Sequence, residues 1–310
     1  MTTLRKSAEE YLAMRRGLGF KLVGQGRLLL DFVSFMEKQS ASRITNDLAL
    51  GWAKLPAGAQ PSWWSMRLST VRLFALHRSA TDPRTEVPAP DLLPRCYNRR
   101  PPYIYTDQEV TRLIQAARGL LPKREFRRWT FPTLFGLLAV TGIRISEALG
   151  LDRDGVDSAR GLLTIRGTKF GKTRLVPIHP STQRALQRYA RKRDQVFTKP
   201  KTPAFFVSDC GTRLNWWKVR QTFVKLSVHI GLRGPSDHKG PRLHDLRHTF
   251  AAKTLLRWYR AGRDVNRWLP VLSTYLGHTH VTDTYWYLTA VPELLRLAGA
   301  RLEKTFGDLP

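Results

Sequence analysis

The chain has few cysteines and no long apolar run, and each shortage excludes a class of protein. Its 310 residues include two cysteines, Cys96 and Cys210, and their wide separation excludes a disulfide framework and a CxxC zinc site. No window approaches the roughly eighteen apolar residues of a membrane span. The N-terminal segment carries charge where a signal peptide needs an apolar run. We therefore expect a cytoplasmic protein.

Acidic side chains are scarce relative to basic ones. Lys and Arg total 52 while Asp and Glu total 24, so the net charge is +28. A hydrophobic fraction of 42% with nine tryptophans excludes a disordered basic tail. A folded chain with this charge needs a polyanion to offset its self-repulsion, and nucleic acid is the expected partner. The alternative is a basic surface that serves solubility alone.

The stretch from Pro83 to Pro102 is the best candidate for a domain boundary. It holds six prolines in twenty residues, which disfavour a helix and favour an extended spacer. Basic side chains exceed acidic ones on both sides of it, so both halves are expected to contact the same polyanion. We predict a helical domain at residues 1–87, a Pro/Arg-rich linker at 88–102, a mixed domain at 103–295 and a tail at 296–310.

Four short helices are predicted before the boundary. Ser7 and Glu10 have the spacing of a capping box at the start of the first helix. The second covers residues 28–36, Asn46 caps the third, and Pro61 opens the fourth. Together they indicate a small all-α module.

The segment after the boundary is predicted to be mixed. Thr106 and Glu109 form a second capping box, and a long apolar helix should end at Gly142. Residues 162–165 and 174–178 are predicted to form the two strands of a hairpin. Further helices are expected near Arg144, Asn215, His244, Val265 and Thr284, with another strand at residues 204–207.

The first cluster that could react with a phosphate, rather than only bind it, surrounds Arg144. It reads TGIRISE over residues 141–147 and places Arg144 at a helix start. The helix dipole there would add to the field of the guanidinium, whose planar fork suits phosphate oxygens. Glu147, one turn on, could hold that guanidinium in place.

The second cluster reads HDLRH over residues 244–248. His244 and Arg247 are three residues apart and share a helix face, while Leu246 should face the core. This arrangement puts a proton-transfer group beside an oxyanion clamp. The alternatives are an isolated His–Arg pair and a metal pair of His244 with His248, although the Glu of the zinc-protease pattern is absent.

The third cluster combines a Leu-Gly-His triplet that ends at His278 with a YWY triplet that contains Tyr285 and Tyr287. On one unbroken helix, nine residues at about 100° each would point His278 and Tyr287 in opposite directions. The β-branched, cap-rich residues 279–283 supply the break that lets them converge. Tyr285 and Tyr287 are about 200° apart, so only one can enter a shared site. A core or interface role is the alternative for each tyrosine.

These clusters, in this order, resemble the motifs of the tyrosine recombinase (phage integrase) family. TGIRISE resembles its first arginine box, HDLR its His-x-x-Arg box, and Leu-Gly-His followed nine residues later by Tyr287 its nucleophile box. Residues 167–174, GTKFGKTR, resemble the hairpin that carries the family's lysine. The resemblance covers about residues 103–295, and the preceding module is similar to the family's core-binding domain.

The resemblance implies an all-α core-binding (SAM-like) domain and a mixed, mainly α catalytic domain with a small antiparallel β-sheet. It implies a DNA strand transferase of a mobile element, an integrase or transposase, that acts through a 3′-phosphotyrosyl intermediate without metal, ATP or any other cofactor. The implied partners are double-stranded DNA, three further protomers on two DNA sites and, in some systems, partner recombinases. The implied location is the bacterial nucleoid.

The resemblance also assigns a role to individual residues. Lys172 remains the rival of Lys169, because the hairpin is one residue longer than the commonest family pattern, and Tyr285 remains the rival of Tyr287. The assigned roles are attack on DNA by Tyr287, a phosphorane clamp by Arg144 and Arg247, acceptance of the tyrosine proton by His244, protonation of the leaving 5′ oxygen by Lys169, donation to a phosphate oxygen by His278, and support by Glu147.

Two other functions stay open. A DNA-binding accessory protein or repressor of the same fold would lack the reaction, and a type IB topoisomerase would share its chemistry. The complete set of site residues favours chemistry, and the helical module with the Leu-Gly-His box favours recombination. The tail has two interpretations, a helix that closes its own core or a segment that docks onto a neighbouring protomer.

Overall fold

A computed structural model describes residues 3–94, 101–120, 126–167, 173–237 and 240–307. The chain divides into two compact units, residues 1–100 and 101–310. Both candidate hairpin lysines, Lys169 and Lys172, fall outside the described residues, as do residues 95–100 of the predicted linker. None of the described helices is long and apolar enough to cross a membrane.

The described residues of the first unit form four α-helices around one apolar core. Phe32 meets Trp52 edge-on at 5.2 Å between ring centroids, and Phe74 lies 5.6 Å from Tyr11. Leu93, inside the predicted linker, is 6% exposed and packs in the same core. The chain therefore stays attached to this unit beyond residue 87. The helices are α1 (Leu4–Gly17), α2 (Val23–Lys38), α3 (Asn46–Lys54) and α4 (Pro61–Ser79).

Two of the predicted helix caps in this unit are wrong by a short distance. Thr3, not Ser7, caps α1, and its Oγ1 accepts a hydrogen bond from the backbone N–H of Lys6. Ser7 lies inside the helix and accepts a hydrogen bond from Arg78 at 2.7 Å. Thr45 caps α3 one residue before the expected Asn46. Thr, Ser and Asn all satisfy a cap, so a polar pair leaves the start ambiguous by a few residues.

The second unit is mainly helical, and its described residues include a three-stranded antiparallel sheet in the order β1-β2-β3. The predicted hairpin is present, with Leu163 opposite Val176. Its elements are α5 (Asp107–Arg118), α6 (Arg127–Thr141), α7 (Ile145–Gly150), β1 (Val156–Asp157), β2 (Leu162–Ile165), β3 (Arg174–Pro177), α8 (Pro180–Val196), α9 (Trp216–His229), α10 (Asp245–Arg260), α11 (Val265–Leu276), α12 (Thr282–Ala290) and α13 (Pro292–Phe306).

Most helix and strand boundaries of this unit agree with those predicted from the sequence, with two exceptions. The Thr106–Glu109 capping box forms both of its hydrogen bonds. Gly142 ends α6 in the left-handed region at φ +62°. The strand expected at residues 204–207 is wrong, because Ala204 and Val207 make only isolated bridges. Helix α8 was not predicted.

Helix α10 lies at the junction of two apolar clusters. Leu246, at its start, is 1% exposed and belongs to the larger cluster built on α5, α6, the sheet and α8. Leu255, two turns further on, belongs to a second cluster with α11, α12 and α13. The first turn of α10 is therefore held where the two halves of the unit meet.

The C-terminal helix α13 packs on its own unit. Leu294 is completely buried in the second cluster, while Leu295 and Leu302 on the outer face are 57% and 59% exposed. The predicted boundary between residues 295 and 296 falls inside this helix, so the structure has no break there. The packing matches the interpretation of the tail as a helix that closes its own core.

Candidate active site

Two arginines that are about a hundred residues apart in sequence meet on one stretch of backbone. Nη2 of Arg144 donates to the carbonyl of Gly277 at 3.0 Å, and Nη2 of Arg247 donates to the carbonyl of Leu276 at 2.7 Å. These adjacent carbonyls end α11. The backbone of the predicted Leu-Gly-His motif therefore accepts hydrogen bonds from both guanidiniums and holds them close together.

Arg247 is the more deeply held of the two. It is 3% exposed, and its Nη1 donates to the carbonyl of Gly142 at 2.8 Å. In the part of the chain that the structure describes, no carboxylate forms a salt bridge with it. Burial and the positive charge of Arg144 lower its pKa to about 10, so it stays protonated at neutral pH. The charge is thus buried against neutral carbonyls and beside a like charge, which an anion would relieve.

Arg144 begins α7, as predicted, and Glu147 holds it there. The carboxylate accepts a hydrogen bond from the Arg144 backbone N–H at 2.8 Å and another from its Nη1 at 2.9 Å. The Arg144 side chain remains 35% exposed. One edge of this guanidinium is therefore fixed by the protein while the side chain still reaches solvent.

A third arginine completes this support. Nη1 and Nη2 of Arg174 donate to the two oxygens of Glu147 at 2.9 and 2.7 Å, and its Nε donates to the carbonyl of Tyr275 at 3.0 Å. Burial alone would raise the pKa of Glu147, but the hydrogen bonds from Arg174 and Arg144 lower it overall. Sequence reasoning missed Arg174, although its place at the start of the second hairpin strand, directly after the two candidate lysines, was the available signal.

Glycine is required within Leu-Gly-His for two reasons. Gly277 has φ +70°, a conformation that side chains rarely adopt. A Cβ there would lie 2.7 Å from Nη1 of Arg174. The position therefore lets α11 end sharply and leaves room for the arginine that supports Glu147.

His278 and Tyr287 converge because the helix breaks between them, as the sequence predicted. Helix α11 ends at Leu276 and α12 begins at Thr282. The rings of His278 and Tyr287 stack at 6.3 Å between centroids with an interplanar angle of 17°. Tyr287 is 2% exposed, whereas Tyr285 is 46% exposed on the opposite side. Tyr287 is therefore the tyrosine that lies beside His278, close enough to Arg247 to interact with its charge.

His244 and His248 occupy successive turns of α10 and meet edge to face at 4.7 Å. Partial desolvation of His244 and the positive charge of Arg247 lower the pKa of His244 to about 4, so the ring is neutral at pH 7. His248 was weighed in the sequence only as a metal ligand beside His244. The structure instead places its Nδ1 3.2 Å from the hydroxyl of Tyr287.

The structure thus brings together most of the residues proposed from the sequence. The exception is Lys169, which stays a prediction together with its rival Lys172. Two residues were missed in these roles, Arg174 and His248. The residues that converge are Arg144, Glu147, His244, Arg247, His278 and Tyr287.

Comparison with known proteins decides the family. The model of the phage integrase family matches residues 104–293. The chain belongs to the phage integrase family. This integrase-family chain is 49% identical, over 99% of both chains, to "Putative integrase/recombinase y4rB" of Sinorhizobium fredii. It is also 33% identical to the tyrosine recombinase XerD of Mycobacterium tuberculosis over 64% of this chain and 60% of XerD.

Solved structures agree on the fold of this family member. The Tn1549 transposon integrase in complex with transposon right-end DNA matches with a TM-score of 0.68 and 16% identity, covering 96% of this chain and 98% of that one. The XerH site-specific recombinase bound to its difH substrate matches with a TM-score of 0.66 and 16% identity, covering 90% and 79%. The predicted fold class, a helical module followed by a mainly α domain with a small antiparallel sheet, is confirmed.

Proposed function

We propose that this phage integrase family member is a site-specific DNA recombinase that cleaves and rejoins strands through a 3′-phosphotyrosyl intermediate. One observation carries the proposal. Two guanidiniums, Arg144 paired with Glu147 and Arg247 without a salt bridge among the described residues, are fixed on the adjacent carbonyls of Gly277 and Leu276, next to the segment that holds Tyr287. Fixed positive groups beside a nucleophile suit a phosphorane, because its charge develops on non-bridging oxygens.

In the proposed reaction the hydroxyl oxygen of Tyr287 attacks the phosphorus of one phosphodiester. The new P–O(tyrosine) bond forms as the P–O5′ bond breaks, and the proton lost by tyrosine is balanced by one gained at the 5′ oxygen. A 5′-hydroxyl of a second strand then attacks the phosphotyrosine and restores both a phosphodiester and the tyrosine. Bond energy is conserved in both steps, so neither needs an external energy source.

The surrounding groups divide the work of this reaction. Arg144 and Arg247 would bind the non-bridging oxygens, and His278 would donate to one of them. His244, neutral at pH 7 because its pKa is about 4, would accept a proton in the cleavage step. Lys169 would protonate the leaving 5′ oxygen. Glu147 and Arg174 would keep the first arginine in position.

Double-stranded DNA is the proposed partner. The net charge of +28 supports it, as do the DNA complexes of the Tn1549 integrase and XerH that share this fold. Strand exchange between two sites requires four tyrosines, so we propose a tetramer assembled on DNA, alone or with partner recombinases. Because of the Tn1549 and y4rB similarities, we further propose that the DNA belongs to a mobile element.

A nicked suicide substrate tests the proposal. DNA that carries the inverted repeats or junctions flanking the gene is incubated with the full chain, and covalent adducts are resolved on denaturing gels. We expect an adduct with the wild type and with Tyr285→Phe, and none with Tyr287→Phe. Tyr285 is the matched control because it lies two residues away and is 46% exposed.

Other outcomes assign the alternatives. An adduct lost only in Tyr285→Phe would mean that the nucleophile is misassigned. Tight binding of a verified site without any adduct would favour the accessory DNA-binding protein. Relaxation of supercoiled DNA without a second DNA site would favour the type IB topoisomerase reaction.

A further inference from the structure

One buried polar contact between α10 and α12 has no role in the mechanism above. Nδ1 of His248 lies 3.2 Å from the hydroxyl oxygen of Tyr287. Both residues are almost wholly enclosed, His248 at 6% and Tyr287 at 2% exposure. A buried hydroxyl and a buried imidazole at this distance form a hydrogen bond, since each would otherwise lose its contact with water.

The ring of His248 is held firmly enough to act as a fixed reference. His244 meets it edge to face at 4.7 Å, and Trp286 lies against it at 5.1 Å between centroids. Its own helix is anchored one residue earlier, where Arg247 grips the carbonyls of Gly142 and Leu276. The imidazole therefore lies on the same anchored helix turn as Arg247.

Tyr287, by contrast, stands on a short helix. Helix α12 spans nine residues, and its N-cap residue, Val281, makes no side-chain cap hydrogen bond. The ring sits in an apolar cluster with Leu255 and Leu294, which fixes its depth but cannot direct a hydroxyl. The contact with His248 is a hydrogen bond that links the hydroxyl oxygen of Tyr287 to α10.

We propose that His248 is a positioning residue that hydrogen-bonds the hydroxyl of Tyr287 and sets its place relative to Arg144 and Arg247. The inference rests on the proposed function, in which Tyr287 is the nucleophile. In the tautomer with its proton on Nε2, the Nδ1 lone pair accepts the hydroxyl hydrogen. Nucleophiles displaced by about 1 Å lose on the order of a hundredfold in rate, so this aim matters for chemistry.

The first test compares His248→Leu and His248→Asn in the suicide-substrate reaction. Asn places a polar atom close to the position of Nδ1 but cannot act as a base at neutral pH, whereas Leu removes the hydrogen bond. We expect Leu to slow adduct formation by at least about tenfold, with DNA binding unchanged, and Asn to restore most of the rate. A wild-type rate in the Leu variant would overturn the proposal, and so would an Asn variant as slow as Leu, which would indicate proton acceptance instead.

A double-mutant cycle tests the contact without any DNA. Denaturant unfolding midpoints are measured for His248→Leu, Tyr287→Phe and the double variant. We expect the double variant to shift the midpoint by clearly less than the two single shifts added together, because both remove the same hydrogen bond. The same cycle with the exposed Tyr285→Phe should be additive. Full additivity with Tyr287 would overturn the contact.

The two readouts separate failure of this inference from failure of the proposed function. If the wild type forms no adduct on a verified site, the recombinase function fails whatever the cycle shows. If the wild type forms an adduct and His248→Leu leaves its rate intact, only the positioning role fails.

Discussion

Both units of the molecule bury arginine side chains, and the surroundings of Arg67 in the first unit differ from those of Arg247 in the second. In the first unit Arg67 is 6% exposed, and its Nη2 donates to the carbonyl of Trp52 at 2.9 Å. Its guanidinium lies 3.7 Å above the ring of Trp52, and the carboxylate of Asp31 is 3.6 Å away. The protein itself supplies a carbonyl, an aromatic face and a negative charge to this guanidinium, so its charge is offset without a ligand even though its Nε makes no hydrogen bond.

In the second unit Arg247 is buried at least as deeply, at 3% exposure, but lacks the compensation. Its hydrogen-bond partners are two carbonyls, and a second guanidinium, that of Arg144, is bound to the neighbouring carbonyl of Gly277. Keeping a charge in that state lowers stability unless something offsets it. The difference is in how the charge is offset: Arg67 has an aromatic face and a carboxylate nearby, whereas Arg247 is held by neutral carbonyls.

The largest effect should come from replacing these two arginines by lysine. Arg247→Lys keeps the charge but cannot reach the carbonyls of Gly142 and Leu276 together while facing a phosphate. We expect the rate of adduct formation to fall by about a hundredfold to a thousandfold, the usual effect of losing one transition-state donor. Arg67→Lys should lower thermal stability and leave the rate per folded molecule unchanged. Equal rate losses in both variants would remove the distinction between the two arginines.

The glycine of Leu-Gly-His offers a second and smaller test. Gly277 and Gly58 both have positive φ, at +70° and +78°, but a Cβ would strike Arg174 only at Gly277 and meets nothing within 4 Å at Gly58. Gly58→Ala should therefore show backbone strain alone, about 1–2 kcal/mol of unfolding free energy. Gly277→Ala should cost about 1–3 kcal/mol more, because Arg174 and then Glu147 must shift.

Denaturant unfolding followed by circular dichroism measures both glycine variants, and the suicide substrate measures the rate. We expect Gly277→Ala also to slow adduct formation, since Arg174 supports Glu147 and Glu147 supports Arg144. Equal losses of stability in the two variants would mean that the clash at Arg174 is relieved without consequence.

The sequence was sufficient for the parts of the site that local chemistry dictates. The sequence predicted a helix start at Arg144, and the structure has Arg144 at the N-cap of α7. Helix geometry required a break between His278 and Tyr287, which the structure also has. Helix geometry allowed only one of Tyr285 and Tyr287 into the site, and the family resemblance, rather than local chemistry, favoured Tyr287, which is the buried one of the two. Spacing along one segment fixes such features, because neighbouring residues can share only a few geometries.

The sequence failed where a contact joins distant segments. Arg174 reaches Glu147 across 27 positions, and His248 reaches Tyr287 across 39. No local sequence pattern marks either pair. Both contacts become visible only once β3 and α12 are packed beside Arg144 and Arg247 in the folded structure. The strand predicted at residues 204–207 is wrong for a related reason. A strand needs a neighbouring strand to pair with, and Ala204 and Val207 form only isolated bridges.

The smallest predicted effect concerns His244 and the surplus charge around it. Desolvation and the charge of Arg247 lower its pKa from 6.5 to about 4 in the folded protein. Between these pH values the unfolded chain binds more protons than the folded one, so stability should rise as the pH rises from about 4 to about 6.5. Glu147, whose pKa is also lowered, loses its contribution only as the pH falls below its ordinary value of 4.5. In the interval from about 5 to 6.5 Glu147 is therefore mainly ionised in both states and adds little to the slope.

Unfolding midpoints measured across that interval should slope less in His244→Gln than in the wild type. An anion bound between Arg144 and Arg247 would offset the charge that repels a proton from His244. Adding the DNA site, or sulfate as a simple dianion, should therefore raise the pKa of His244 and flatten the wild-type slope toward that of the variant. An unchanged slope would mean that the anion binds away from the arginine pair, and the contrast between Arg247 and Arg67 would then reflect folding rather than ligand binding.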